Sequence, residues 1–173
     1  MDISGQFKEL VLSPNKEWNS FWAQPREQCE ILDFCVAYGS CNANSVPFYS
    51  CLRGFDYMLR QDWNSEDSSG RFTRETKLHC GNNASVNGEE DRFVEISSML
   101  LPENKQSEQV ENIAMCESIY YNNYSCTAYA YDDNQCSIWS GNLLNLQQVG
   151  IGDERGRSLY IRLAALEVQS SKN

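Results

Sequence analysis

Imidazole is almost missing from this chain: His79 is the only histidine among 173 residues, with no second histidine and no acid at ligand spacing. That excludes an ordinary histidine metal site and leaves no imidazole general base to find. Positive charge is also short, since 14 Lys+Arg against 24 Asp+Glu leave 14 − 24 = −10. Phosphate backbones and anionic lipid faces are therefore poor partners, and nucleic-acid binding is not expected. No stretch approaches the roughly 18 to 20 apolar residues that span a bilayer. The start, Met1-Asp2-Ile3-Ser4-Gly5-Gln6, lacks the basic and then apolar run of a secretory signal. Asp132-Asp133-Asn134 lacks the glycine and terminal glutamate of a calcium loop and reads as a turn. Gly150-Ile151-Gly152 follows no βαβ pattern and reads as a loop, and Glu89-Glu90-Asp91 as a solvated acidic edge.

What the chain does have is core-forming material and cysteine. A charged fraction of 22% with 41% hydrophobic and 12% aromatic residues is too apolar for disorder, so the chain should fold. Its 8 cysteines exceed ordinary usage, and an even count at short spacings reads as a disulfide framework, which persists only in an oxidising compartment. Cys29, Cys35 and Cys41 contain no CxxC pair, so they fit a disulfide knot better than zinc. The cysteines fall into two groups, Cys29 to Cys51 and Cys80 to Cys136, which predicts two small stapled modules.

Along the chain, Phe7 to Leu12 and Trp18 to Trp22 are strand-length apolar runs separated by the turn Ser13-Pro14-Asn15-Lys16. A lone hairpin exposing two tryptophans is barely stable in water. Residues 1–26 are therefore expected to be the tail of an upstream all-β domain, with Met1 an internal methionine. Residues 27–72 show little periodicity and must rely on cross-links for their order. Residues 73–92 form a linker that holds Cys80 and the polar run from Asn82 to Asp91. Phe93-Val94-Glu95-Ile96 alternates as a strand, and Ser107 precedes a helical pattern of Val110, Ile113, Ala114, Cys116 and Tyr120. Thr127 to Tyr131 and Cys136 to Trp139 form a hairpin around the Asp132 turn, and Leu159 to Leu163 is a last strand. Residues 93–166 thus predict an α+β unit with one helix packed on an antiparallel sheet, followed by a tail at 167–173.

The run Ser125-Cys126-Thr127-Ala128-Tyr129-Ala130-Tyr131, then Cys136 to Gln148 and Leu159 to Ala165, closely resembles the PAN (apple-like) domain of plant G-type lectin S-receptor-like serine/threonine kinases. Tyr38-Gly39-Ser40-Cys41-Asn42, with Cys29, Pro47 and Cys51-Leu52-Arg53-Gly54-Phe55, resembles that family's EGF-like module, a small disulfide-rich β unit. Trp18-Asn19-Ser20-Phe21-Trp22 resembles the end of its S-locus glycoprotein domain. The resemblance implies an extracellular, glycosylated receptor segment between a lectin region and a membrane helix that leads to a cytoplasmic kinase. Some members recognise pollen or sense a microbial molecule, and the EGF-like and PAN modules help receptors associate.

The family pattern implies six cysteines in each module, but Tyr49 and Phe72 occupy two places in the first, and Tyr120 and Tyr124 two in the second. Carrying over its pairing leaves Cys29 with Cys41 and Cys116 with Cys136, while Cys35, Cys51, Cys80 and Cys126 each face an aromatic ring. Cys35 with Cys51 is an open alternative. Rings in place of half-disulfides should overpack unless they rotate outward. Asn83-Ala84-Ser85 and Asn123-Tyr124-Ser125 are glycosylation sequons if the chain enters the secretory pathway. No kinase motif, phosphate loop or paired nucleophile and base occurs, so no catalysis and no cofactor are expected. The expected role is a non-catalytic contact module for a protein ligand or other receptor ectodomains, with possible dimerisation. The alternatives are a decayed remnant without activity and, more weakly, a carbohydrate-binding fragment.

Overall fold

The computed structural model describes residues 6–26, 28–30, 37–57, 72–78, 91–121 and 126–169. In chain order the elements are β1 (Phe7–Leu12), β2 (Trp18–Gln24), β3 (Gly39–Cys41), β4 (Tyr49–Cys51), β5 (Phe55–Tyr57), β6 (Phe72–Arg74), β7 (Arg92–Leu100) and β8 (Gln106–Gln109). The helix α1 (Ile113–Tyr121), β9 (Cys126–Asp132), β10 (Gln135–Ser140), β11 (Leu146–Gln148), β12 (Arg157–Leu163) and the short helix α2 (Ala165–Gln169) follow.

Alternation in the second half builds the centre of the fold. In β9, Ala128 and Ala130 face one side while Tyr129 and Tyr131 face the other; in β12, Leu159, Ile161 and Leu163 share the alanine side. Small residues on one face make room for Trp139, which lies opposite Ala128 in the β9–β10 register, and the indole donates to the carbonyls of Pro102 and Glu103 at 3.2 and 3.1 Å. On the other face Tyr129 stacks on Tyr160 with centroids 4.8 Å apart and meets Phe93 edge-on at 4.9 Å. Asp133 and Asn134 both take left-handed backbone angles in the two-residue β9–β10 turn, which matches the right-handed twist of the flanking strands.

Two expectations are corrected here. The helix does not begin after Ser107. That stretch is β8, an edge strand paired with β10, and Asn112 starts α1 instead, its side-chain oxygen accepting the Met115 amide at 2.8 Å. Val110 therefore packs beneath the sheet rather than lying on the helix. Nor is the sheet purely antiparallel. Eight strands run in the order β4-β3-β11-β7-β12-β9-β10-β8, and β3 joins β11 in parallel. A register shift beside Ser98, whose φ is 60°, turns the end of β7 so that it pairs with β11 as well as β12.

That parallel pair changes how the two cysteine groups relate. The strands of residues 39–51 extend the same sheet, and Leu52, Phe55 and Phe72 enter the same core as Met99, Leu143, Leu146 and Leu159. Polar contacts reinforce the seam. Tyr38 donates twice across it, its amide to the Leu143 carbonyl at 2.9 Å and its hydroxyl to the Gly141 carbonyl at 3.1 Å, while Gln147 donates to the Cys29 carbonyl at 2.6 Å. Tyr38 also stacks on Phe55 at 4.3 Å, and Arg74 covers the far side of that ring at 4.7 Å. Burial pushes the Tyr38 phenol above its ordinary range and pulls the Arg74 guanidinium below its own.

The shared core makes a direct prediction. A polypeptide limited to residues 91–169 lacks Leu52, Phe55 and Phe72, each worth about 1.5–3 kcal/mol when buried. It should unfold at lower denaturant and be cut faster by protease than residues 28–169. Equal midpoints in urea for the two would show that the seam contributes nothing.

Candidate contact surface and its cysteine framework

The sulfurs of Cys29 and Cys41 are joined, with Cα atoms 5.5 Å apart, as are those of Cys116 and Cys136 at 5.6 Å. The first bridge lies under Ala43 and Tyr49, one of the rings standing where the family pattern has cysteine. The second is fully buried between α1 and β10 and fastens the helix over the tyrosine face of the sheet. Phe72, which the resemblance sets at a cysteine position, has not turned outward. It points inward from β6, is 3% exposed, and belongs to the larger core. Cys51 on β4 carries a free, half-buried thiol. Burial first, and then the nearby carboxylates of Asp56 and Glu75, push that thiol above its usual range.

Cys35, Cys80, His79, Tyr124 and both sequon asparagines, Asn83 and Asn123, lie outside the described residues, as do the Cys126 and Tyr120 side chains. Among the described residues no cluster of three metal-ligating side chains occurs, and no helix is long and apolar enough to cross a membrane. A cavity of about 290 Å³ is floored by Leu101, Ala130 and Ser137 and rimmed by charge. Arg157 on that rim is held by Asp132, and Arg155 by Asp153 at 2.8 Å, so the guanidinium groups are already engaged by carboxylates. The same pair holds the Asp153 carboxyl down to about 2.

Exposed apolar groups collect in two places. In the β1–β2 hairpin, alternation sets Phe7 and Val11 on one face and Leu10 and Leu12 on the other, while Trp18 is 66% and Phe21 75% exposed. Gln6 closes its base by donating to the Pro25 carbonyl at 2.9 Å. Strands apolar on both faces belong in a sheet that is covered on both sides. On α1, Ile113, Met115 and Ile119 are each more than a third exposed.

Two predictions follow from the cysteines. Replacing Cys116 and Cys136 together by alanine should cost about 2–4 kcal/mol, read as a lower thermal midpoint, and should loosen α1 before the sheet. Cys51 should alkylate slowly at pH 7 to 8. A raised pKa means less thiolate there, so its rate should keep climbing above the pH at which an unfolded thiol levels off. Iodoacetamide labelling followed by peptide mass analysis checks this, and a rate equal to that of the denatured chain would contradict it.

Comparison with known proteins places these features. Residues 1–59 match the S-locus glycoprotein domain model and residues 80–146 the PAN-like domain model. A G-type lectin S-receptor-like serine/threonine-protein kinase of Arabidopsis thaliana is 38% identical over 97% of this chain and 20% of its own length. A second such kinase from that plant is 32% identical over 94% of this chain and 19% of its own length. An S-locus-specific glycoprotein of Brassica oleracea var. alboglabra is 31% identical over 95% of this chain and 38% of its own length. The chain thus spans about a fifth of the kinases it matches, and neither matched domain is a kinase domain. Its homologues are G-type lectin S-receptor-like serine/threonine-protein kinases, and it corresponds to their stretch of S-locus glycoprotein and PAN-like domains.

Proposed function

We propose that this chain is a non-catalytic extracellular contact module, through which a receptor of this family meets a protein ligand or a neighbouring receptor ectodomain. The observation that carries it is the two-faced apolar hairpin, which leaves a large area for another protein surface to cover. The match to an S-locus-specific glycoprotein, whose name includes no kinase, supports a role for this stretch apart from phosphoryl transfer. Recognition in pollen or self/non-self discrimination is the finer form of the proposal. In it residues 1–26 end an S-locus glycoprotein domain, 27–72 form a degenerate EGF-like module, 73–92 a linker, 93–166 the PAN domain and 167–173 a tail. Asn83 and Asn123 carry glycans, and an oxidising compartment keeps Cys29–Cys41 and Cys116–Cys136 closed.

The test uses the chain secreted from a eukaryotic host and titrated against immobilised ectodomains of G-type lectin S-receptor-like kinases. Binding or self-association in the micromolar range is expected, and it should weaken at least tenfold when Trp18 and Phe21 are both changed to serine. Absence of both heteromeric binding and dimers sinks the proposal. The free thiol of Cys51 favours a second reading, a decayed remnant with orphaned cysteines. Mass spectrometry of the secreted chain separates the two: four free thiols, at Cys35, Cys51, Cys80 and Cys126, support decay, whereas two or fewer indicate rewired bridges.

A further inference from the structure

The short helix α2 follows closely on β12, yet the groups that hold it come from residues 53–54 and 74–76. It has no basic residue in its own last turn. Arg53 supplies one from far away in sequence, donating to the carbonyls of Glu167 at 3.0 Å and Val168 at 3.4 Å, where the helix leaves carbonyls without internal partners. Glu167 returns the contact. Its carboxylate is 8% exposed and accepts the Thr76 amide at 2.8 Å.

Its other oxygen lies against Gly54. A Cβ at that position would stand 2.4 Å from Glu167 Oε2 and 2.7 Å from Leu163 Cδ2, and Gly54 has φ +77°. Any other residue would therefore suffer both a clash and backbone strain. The Gly54 carbonyl in turn accepts the Glu75 amide at 3.1 Å, and Arg74 donates to the carbonyl of Arg162. Arg53, Gly54, Arg74 and Thr76 thus each meet the end of β12 or α2, while the Glu75 to Gly54 bond ties the Leu52–Phe55 turn to the end of β6.

From this geometry we infer that residues 53–57 and 72–76 form a clamp that fixes the direction of α2, so that the helix following β12 is oriented by groups from much earlier in the chain. The inference goes beyond the contact role and holds whichever surface a partner covers.

Hydrogen exchange on the full chain tests it. Arg53 is solvent-exposed, so Arg53→Ala should leave the sheet folded. The Glu167 and Val168 amides should exchange about tenfold faster, while those of Ala128, Ile138 and Ile161 keep their protection. Arg53→Lys should restore part of the difference. Gly54→Ala should release the Thr76 amide together with α2. Unchanged α2 exchange in both Arg53→Ala and Gly54→Ala overturns the clamp. So does an equal loss of protection across the sheet in Arg53→Ala, because α2 would then have no separate hold.

Discussion

Burial of both faces of the central strands is the constraint that organises this molecule. Strands β9, β10 and β12 place alanines, Trp139 and leucines on one side and tyrosines, Cys136 and Ile138 on the other, and neither side can face water. Each face therefore needs a cover. Helix α1 supplies one, with a disulfide as its fastening. Leu52, Phe55 and Phe72, from the segment before the sheet, supply part of the other. The first cover is covalent and local, whereas the second is built from packing and a few well-placed arginine contacts. This division explains why β3 adds to β11: once the preceding segment must lie on the sheet, its backbone groups find partners at the sheet's own margin.

The same view bears on the cysteine pattern that the family resemblance implies, with Tyr49 and Phe72 at two of its cysteine positions. Losing a bridge forfeits about 2–4 kcal/mol of constraint on the unfolded chain, but burying a phenylalanine returns about 1.5–3 kcal/mol. Those magnitudes overlap, so Phe72, closed inside the core, offsets a large part of one missing bridge. Tyr49 does less, because it is only partly buried where it packs against the Cys29–Cys41 bridge. Two rings at such positions thus contribute differently, decided by whether the strand carrying each one faces the core.

Legibility in the sequence tracked burial pattern. The alternation of Thr127 to Tyr131 and of Leu159 to Leu163 announced the central strands, because each face of a strand there has one kind of neighbour. Strand β8 was invisible, since Gln106 to Gln109 are all exposed and polar, and only pairing with β10 makes them a strand. The three-residue β3 and β11 carry no period at all, and a parallel pair about a hundred residues apart leaves no local trace. Ser107 and Asn112 are equally good caps on paper. What chose Asn112 was the demand of β10 for an edge partner. Arg53, Gly54 and Glu167 were likewise unmarked, because a helix capped by a residue more than a hundred positions away looks uncapped in sequence.

The arginines also bear on the kind of partner this surface suits. Arg53 is committed to α2, Arg74 to a carbonyl and the Phe55 ring, Arg155 to Asp153, Arg157 to Asp132, and Arg162 lies over Phe93. In a chain of net charge −10 these cations are drawn into internal contacts, so the surplus that solvent and partners meet is acidic. An acidic partner would be repelled at a distance and would find these five guanidinium groups already engaged. Under the proposed contact role, a basic or neutral surface with an apolar centre would meet both features at once, because charge would steer the approach and the tryptophans and phenylalanines of the hairpin would supply the area to hold it.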